Sequence, residues 1–143
     1  NTLKSITKKK LLELPVAEDM QMGMTLGLAM DGNVPISIFP RWNFLLYGVS
    51  QLVNHLDKFK VMSGNKLKPK MIIRTGVGSK RPLHPQFQHI GDFSDAIQKM
   101  CTSIEVVKLK EPRDIYQSYK KAYERKDGKN TILVEYGDFY NEK

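Results

Sequence analysis

Glu18 sits where a carboxylate is costly. Leu14-Pro15-Val16-Ala17 precede it, and the run from Met20 to Met30 holds four methionines and no charged side chain. A carboxylate in apolar company needs a reason. It either opens a helix and gains from the macrodipole, or it stands ready to share a proton with a ligand. Gly23 and Gly27 follow, four residues apart and so on one helix face, where another backbone can approach closely. Phe39, Trp42, Phe44 and Tyr47 form an aromatic cluster. Most of it belongs in a core, but one ring could be the flat wall of a pocket for a planar ligand. His84 and His89 lie with Gln86 and Gln88 in a Gly/Pro-rich stretch. Histidines held on a loop suit proton transfer. No third ligand stands at a convincing spacing, so no metal site is expected. His55 reads as a surface residue and Cys101 as a small buried hydrophobe. No nucleophile elbow, phosphate loop or dinucleotide fingerprint occurs.

The elements that must hold these groups alternate. Residues 3–12 are a short polar–apolar segment with helical character. Residues 19–31 read as a helix apolar on most faces, and therefore buried, stopped at Asp31-Gly32-Asn33. Val34–Phe39 is a short β-rich run. Trp42 to Lys60 is one long amphipathic helix with Leu45, Val49, Leu52, Val53 and Leu56 on its apolar stripe. Met71–Thr75, Ile104–Leu109 and Thr131–Tyr136 are strands. Helices are expected from Phe93 to Cys101 and from Pro112 to Asp127-Gly128. The strands are short, β-branched and apolar on both sides, which predicts an α/β fold: a mostly parallel sheet with helices on both faces. No repeat or linker divides residues 1–143, so a single domain is expected. The long loop from Gly76 to Gly91 leaves a strand's carboxyl end, where open α/β sheets bind ligands.

Composition narrows the function classes. A chain that is 41% hydrophobic and 27% charged has the make-up of a globular protein. No apolar run approaches the roughly 20 residues of a membrane span, so no membrane partner is expected. With no signal peptide and one cysteine, a cytoplasmic compartment is expected. The net charge is +8, with eight Lys/Arg and no acid between Lys58 and Arg81. Such a run suits an anionic ligand, nucleic acid or an acidic surface, or is simply a solvated rim. No nucleic-acid motif accompanies it.

The stretch PVAEDMQMGMTLGLA resembles the pyrimidine-binding domain of thiamine-diphosphate-dependent enzymes, of the transketolase central-domain and 2-oxoacid dehydrogenase beta-subunit type. That family carries a Glu, four residues, a Gly, an apolar residue, two more, then a Gly and an apolar residue. Here these are Glu18, Gly23, Met24, Gly27 and Leu28. IFPRWNFLLYGVSQLVN resembles the segment in which an aromatic ring stacks on the aminopyrimidine, and ungapped counting from Glu18 puts Phe44 there. VMSGNKLKPKMIIRTGVG resembles the SGG…P…VVRTPxG passage, and QHIGDF the QHSQ loop, which makes His89 the matching histidine. The resemblance covers residues 14–136. There are departures. Where the family's loop is Gly-rich, this chain has SKRPLHPQFQH. Few residues precede Glu18, the sequence stops at Lys143 where the beta subunit continues into a further domain, and the Gly-Asp-Gly…Asn diphosphate motif does not occur between residues 1 and 143.

The resemblance implies the thiamine-diphosphate-binding fold, with Glu18 hydrogen-bonded to a ring nitrogen of the cofactor, Phe44 under the aminopyrimidine and His89 at the reactive end. It implies thiamine diphosphate as cofactor, with Mg2+ and the diphosphate held by a diphosphate-binding subunit on a separate chain. The assembly would be a homodimer or heterotetramer acting on a small anionic substrate, by transketolase-like transfer or 2-oxoacid decarboxylation. Two other readings keep the residues but change the role. One is a non-catalytic assembly or regulatory subunit, against which the retained Glu18 counts. The other is a basic nucleic-acid-binding domain.

Overall fold

Ile132, Leu133 and Val134 are fully buried although their side chains point alternately to opposite faces. Only a central strand covered on both sides makes that possible. The computed structural model describes residues 3–80 and 84–141. Its sheet has four strands: β1 (Ile36–Ile38), β2 (Ile72–Val77), β3 (Ile104–Leu109) and β4 (Asn130–Tyr136). Their order is β1-β2-β4-β3, and every pairing is parallel.

The helices are α1 (Glu18–Met30), α2 (Trp42–Leu45), α3 (Asp57–Met62), α4 (Ser94–Met100) and α5 (Asp114–Glu124). The larger core lies on one face of the sheet, where Met22, Leu26, Trp42, Leu45, Leu52, Leu56 and Ile97 pack against Ile73, Ile132 and Val134. On the other face Ala122 and Tyr119 of α5 cover Ile72, Leu109 and Leu133. Helices therefore sit on both faces, as the alternation predicts. Each fully buried Leu or Ile contributes about 1.5–3 kcal/mol, so the Trp42–Leu56 stripe alone anchors that layer.

Two expectations need correction. The long helix is a continuous helical path that changes winding: α2, a 3-10 turn at Leu46–Gly48, a π-helical stretch at Gln51–Leu56, then α3. Its apolar stripe is as read, with Leu45, Leu52 and Leu56 buried and Val49 and Val53 packed beside them. The π stretch re-phases the stripe so that it keeps facing the sheet, a local widening that periodicity cannot reveal. The second correction is α1. Met22, Thr25, Leu26 and Ala29 are buried, but Met20, Met24, Leu28 and Met30 are exposed. This chain covers one side of a helix that is apolar on most sides. In the 3–12 segment, only Lys8–Lys10 forms a 3-10 turn. Residues 81–83 of the long loop lie outside the described residues.

A buried carboxylate ties the helical layer together. The Asp57 side chain is fully shielded from solvent and pairs with Lys58 at 2.7 Å. Asp57 also accepts the backbone N–H groups of Thr102 at 2.7 Å and Ser103 at 2.6 Å. Burial works to raise its pKa, but the Lys58 pair and the Ser103 and Thr102 bonds outweigh it and hold the carboxyl at about 2. The clamp joins α3 to the turn between α4 and β3.

Candidate functional site

The site is built at the carboxyl end of β2. The Phe39 N–H donates to the Arg74 carbonyl at 2.8 Å, which extends the β1–β2 pairing and delivers Pro40-Arg41 across the strand end. Gly76 lets that happen, since a Cβ there would stand 3.3 Å from the Pro40 carbonyl oxygen. Gly78 is more constrained. A Cβ at this position would collide with the His89 carbonyl oxygen and lie 3.1 Å from Arg41 Nε. Only glycine allows the loop to fold back so tightly over the strand.

The fold-back brings two sequence-predicted residues together. The Phe44 and His89 rings stack with centroids 5.6 Å apart and planes 24° from parallel. Both are half-buried. His89 Nε2 lies 3.2 Å from the Gln88 amide nitrogen. With the amide donating, Nε2 accepts and the neutral ring carries its proton on Nδ1, a tautomer assigned from that bond. Nδ1 is buried and has no partner among the described residues. His84 lies elsewhere. It is exposed, accepts the Gln86 N–H at 3.1 Å and meets the Phe87 ring edge-on at 5.8 Å.

Glu18 is the first residue of α1 and is half-exposed. Among the described residues its carboxylate has no hydrogen-bond or ion-pair partner. Its position comes from a close helix crossing. A Cβ on Gly48 would stand 3.4 Å from the Glu18 carbonyl oxygen and 2.8 Å from Met22 Cγ. Gly48 follows Phe44 by four residues, so the start of α1 packs against the same helical path that carries Phe44. Gln21 and Thr25 fix α1 to the sheet, donating to Ser37 Oγ at 2.9 and 3.2 Å. Gly23 and Gly27 have open space in front of them among the described residues.

Two residues of the site escape sequence reasoning. One is Arg41, which gives no signal beyond lying next to the aromatic cluster. The other is Asp92, whose Asp-x-Ser pattern at a helix start is a cap signal. Asp92 accepts the Ser94 N–H at 2.9 Å and the Ser94 hydroxyl, pairs with Lys108 at 3.3 Å and receives the Tyr136 hydroxyl at 3.3 Å. Burial pushes its pKa up, but the Ser94 bonds and Lys108 outweigh this and lower it. The Tyr136 hydroxyl is pushed up, first by burial and then by the Asp92 charge. Asp92 thus ties the His89 loop to α4, β3 and β4 at once.

The chain matches no description of a known protein family. Among curated proteins it is 27% identical over 135 residues to a pyruvate dehydrogenase E1 component subunit beta of Gracilaria tenuistipitata var. liui, covering 94% of this chain and 40% of that protein. It is 35% identical over 74 residues to the same subunit of Chaetosphaeridium globosum, covering 52% of this chain and 23% of the relative. It is 30% identical over 89 residues to an acetoin:2,6-dichlorophenolindophenol oxidoreductase subunit beta of Cupriavidus necator, covering 57% and 26%. The chain is similar to 2-oxoacid dehydrogenase beta subunits. It spans less than half the length of these relatives. The all-parallel sheet with helices on both faces is consistent with the pyrimidine-type domain of thiamine-diphosphate enzymes. Among the described residues, no helix is long and apolar enough to cross a membrane.

Proposed function

We propose that this chain supplies the aminopyrimidine-binding half of an active site for thiamine-diphosphate chemistry on a 2-oxo substrate. A second chain would hold the diphosphate and its Mg2+. The observation that carries this reading is the Phe44–His89 stack, supported by Glu18 at the start of α1, whose carboxylate has no partner among the described residues and whose backbone packs on Gly48 of the helical path that carries Phe44. These residues suit an aminopyrimidine, which needs a flat apolar wall and a carboxyl able to share its proton with a ring nitrogen.

In this reading the Glu18 carboxyl donates to the ring nitrogen and shares its proton there. Phe44 orients the ring plane. His89 would donate a hydrogen bond from its Nδ1–H, which has no partner among the described residues, to an oxygen of the substrate. Bound thiamine diphosphate supplies the nucleophilic carbon and the electron sink for breaking or making a bond next to a 2-oxo carbon. Both transketolase-like transfer and 2-oxoacid decarboxylation fit these roles.

The uncovered face of α1, with Met20, Met24 and Leu28 around the open Gly23 and Gly27, supports an assembly in which another subunit packs there. A homodimer or heterotetramer fits that face. The buried Cys101 thiol, its pKa pushed up to about 11 by burial, suits a reducing compartment such as the cytoplasm.

Calorimetry tests the division of labour. With magnesium and thiamine diphosphate, this chain alone should bind poorly, because anionic phosphates need a cradle and a cation. Adding a copurifying chain that carries the diphosphate motif should restore binding. Tight stoichiometric binding by this chain alone would sink the split-enzyme reading.

A further inference from the structure

We infer that Arg41 is the specificity-determining residue of this site, seating the anionic head group, carboxylate or phosphate, of the substrate. The inference rests on the site reading proposed above and adds the substrate's charge to it.

Arginines need partners, and the others described here have them. Arg74 pairs with Glu135 at 2.5 Å, Arg113 with Glu111 at 2.6 Å and Arg125 with Glu105 at 2.9 Å and Asp127 at 2.8 Å. Arg41 is the exception: among the described residues its guanidinium makes no hydrogen bond and no ion pair. It is nevertheless half-buried. A guanidinium partly removed from water with no acceptor has lost hydration without compensation. Its planar fork of donors matches a carboxylate or phosphate in bidentate fashion.

Its position matters as much as its charge. Arg41 Nε and the His89 carbonyl oxygen both crowd the Cβ position of Gly78, so they flank one point of the backbone. The Phe44 N–H donates to the Arg41 carbonyl at 3.2 Å, which places the Arg41 backbone one turn before Phe44, whose ring stacks on His89. Other buried polar groups also lack partners. Among the described residues four buried side-chain polar atoms lack a partner: Trp42 Nε1, Asn43 Oδ1, Thr75 Oγ and His89 Nδ1. Trp42 and Asn43 follow Arg41 directly, Thr75 lies near the end of β2, and His89 belongs to the loop folded over it. Thr75, near the end of β2, and His89, in the loop folded over it, fit a site completed by a polar ligand. The basic loop offers a weaker alternative in Lys80, whose exposed side chain is a solvated charge and whose N–H is taken by Asp138 at 2.8 Å.

The test is nuclear magnetic resonance on the 15N-labelled full chain, following the Arg41 Nε–H and the indole N–H of Trp42, the one tryptophan. Pyruvate and inorganic phosphate are the anionic probes, and methyl pyruvate is the neutral control. At least one anion should shift both signals saturably, and methyl pyruvate should not. If pyruvate binds more tightly the head group is a carboxylate, and if phosphate does it is a phosphate. Arg41→Gln should weaken binding about tenfold or more, Arg41→Lys should keep part of it, and Lys80→Gln should leave it unchanged. The inference is overturned if neither anion moves the Arg41 signal, or if Arg41→Gln binds the anion as the parent does. Arg41, Gly78 and His89 all belong to this chain and no thiamine compound is present. A negative result therefore removes the anion seat and leaves the cofactor reading to its own calorimetric test.

Discussion

The ring of His89 lies over the ring of Phe44, with centroids 5.6 Å apart and planes 24° from parallel. One ring comes from the helical path after β1 and the other from the loop after β2, so the contact exists only if that loop folds back. The fold-back assigns the two loop histidines different surroundings. His89→Asn, assayed with the diphosphate-binding partner and cofactor, should lower turnover about 100-fold or more, the scale of a lost acid–base group. His84→Asn should change it little, since His84 is exposed and bonds only within its own turn. A reversal of the two effects would mean that the QHIGDF match is misaligned.

Glu18→Gln should leave the fold intact, because the side chain is half-exposed and has no partner to lose among the described residues. In the reconstituted enzyme, deuterium exchange at the reactive carbon of the cofactor should slow by about 100- to 10,000-fold, the range of general acid–base contributions. An unchanged exchange rate would make Glu18 only a favourable helix-start charge.

Gly78→Ala should disturb the site more than its single methyl suggests. The new Cβ would meet the His89 carbonyl, which is backbone and cannot swing aside. The expected cost is about 1–3 kcal/mol of stability. The ring-current shifts that mark the Phe44–His89 stack should also disappear from the proton spectrum. If the stack survives, glycine at this position is not what holds the loop down.

Asp57 predicts an acid-labile clamp. Its folded pKa, about 2, lies below the ordinary value of 3.8, so the ionised form is favoured by folding. Its contribution is therefore present above the ordinary value and is lost as pH falls through about 2. The shift corresponds to about 2 kcal/mol at most, since the Asp57 carboxylate is shielded but its Lys58 partner is 45% exposed and screened by solvent. Urea denaturation at pH 7 and pH 3 should show Asp57→Asn less stable than the parent at the higher pH. The gap should narrow at the lower one. A pH-independent gap would mean that packing, not charge, makes the clamp.

The α/β alternation and the Glu18–Gly23–Gly27 motif were legible in the sequence because both are local. Parallel strands buried on two faces must be apolar throughout, as Ile132-Leu133-Val134 is, and a helix motif repeats at fixed spacing. The apolar stripe from Leu45 to Leu56 was legible for the same reason. Its change of winding was not, since π and 3-10 turns answer to what the helix packs on. Nor did periodicity show that α1 is covered on one side only, because an apolar residue does not say whether its cover lies in the same chain. The meeting of Phe44 with His89, and of Arg41 with the backbone of Gly78, was decided by the tertiary structure alone. These residues are far apart in sequence, and what joins them is the absence of a side chain at one position, Gly78, where the loop crosses the strand. The clearest case is Arg41: being without a partner among the described residues is a property of everything packed around a residue, and no short stretch of sequence contains that information.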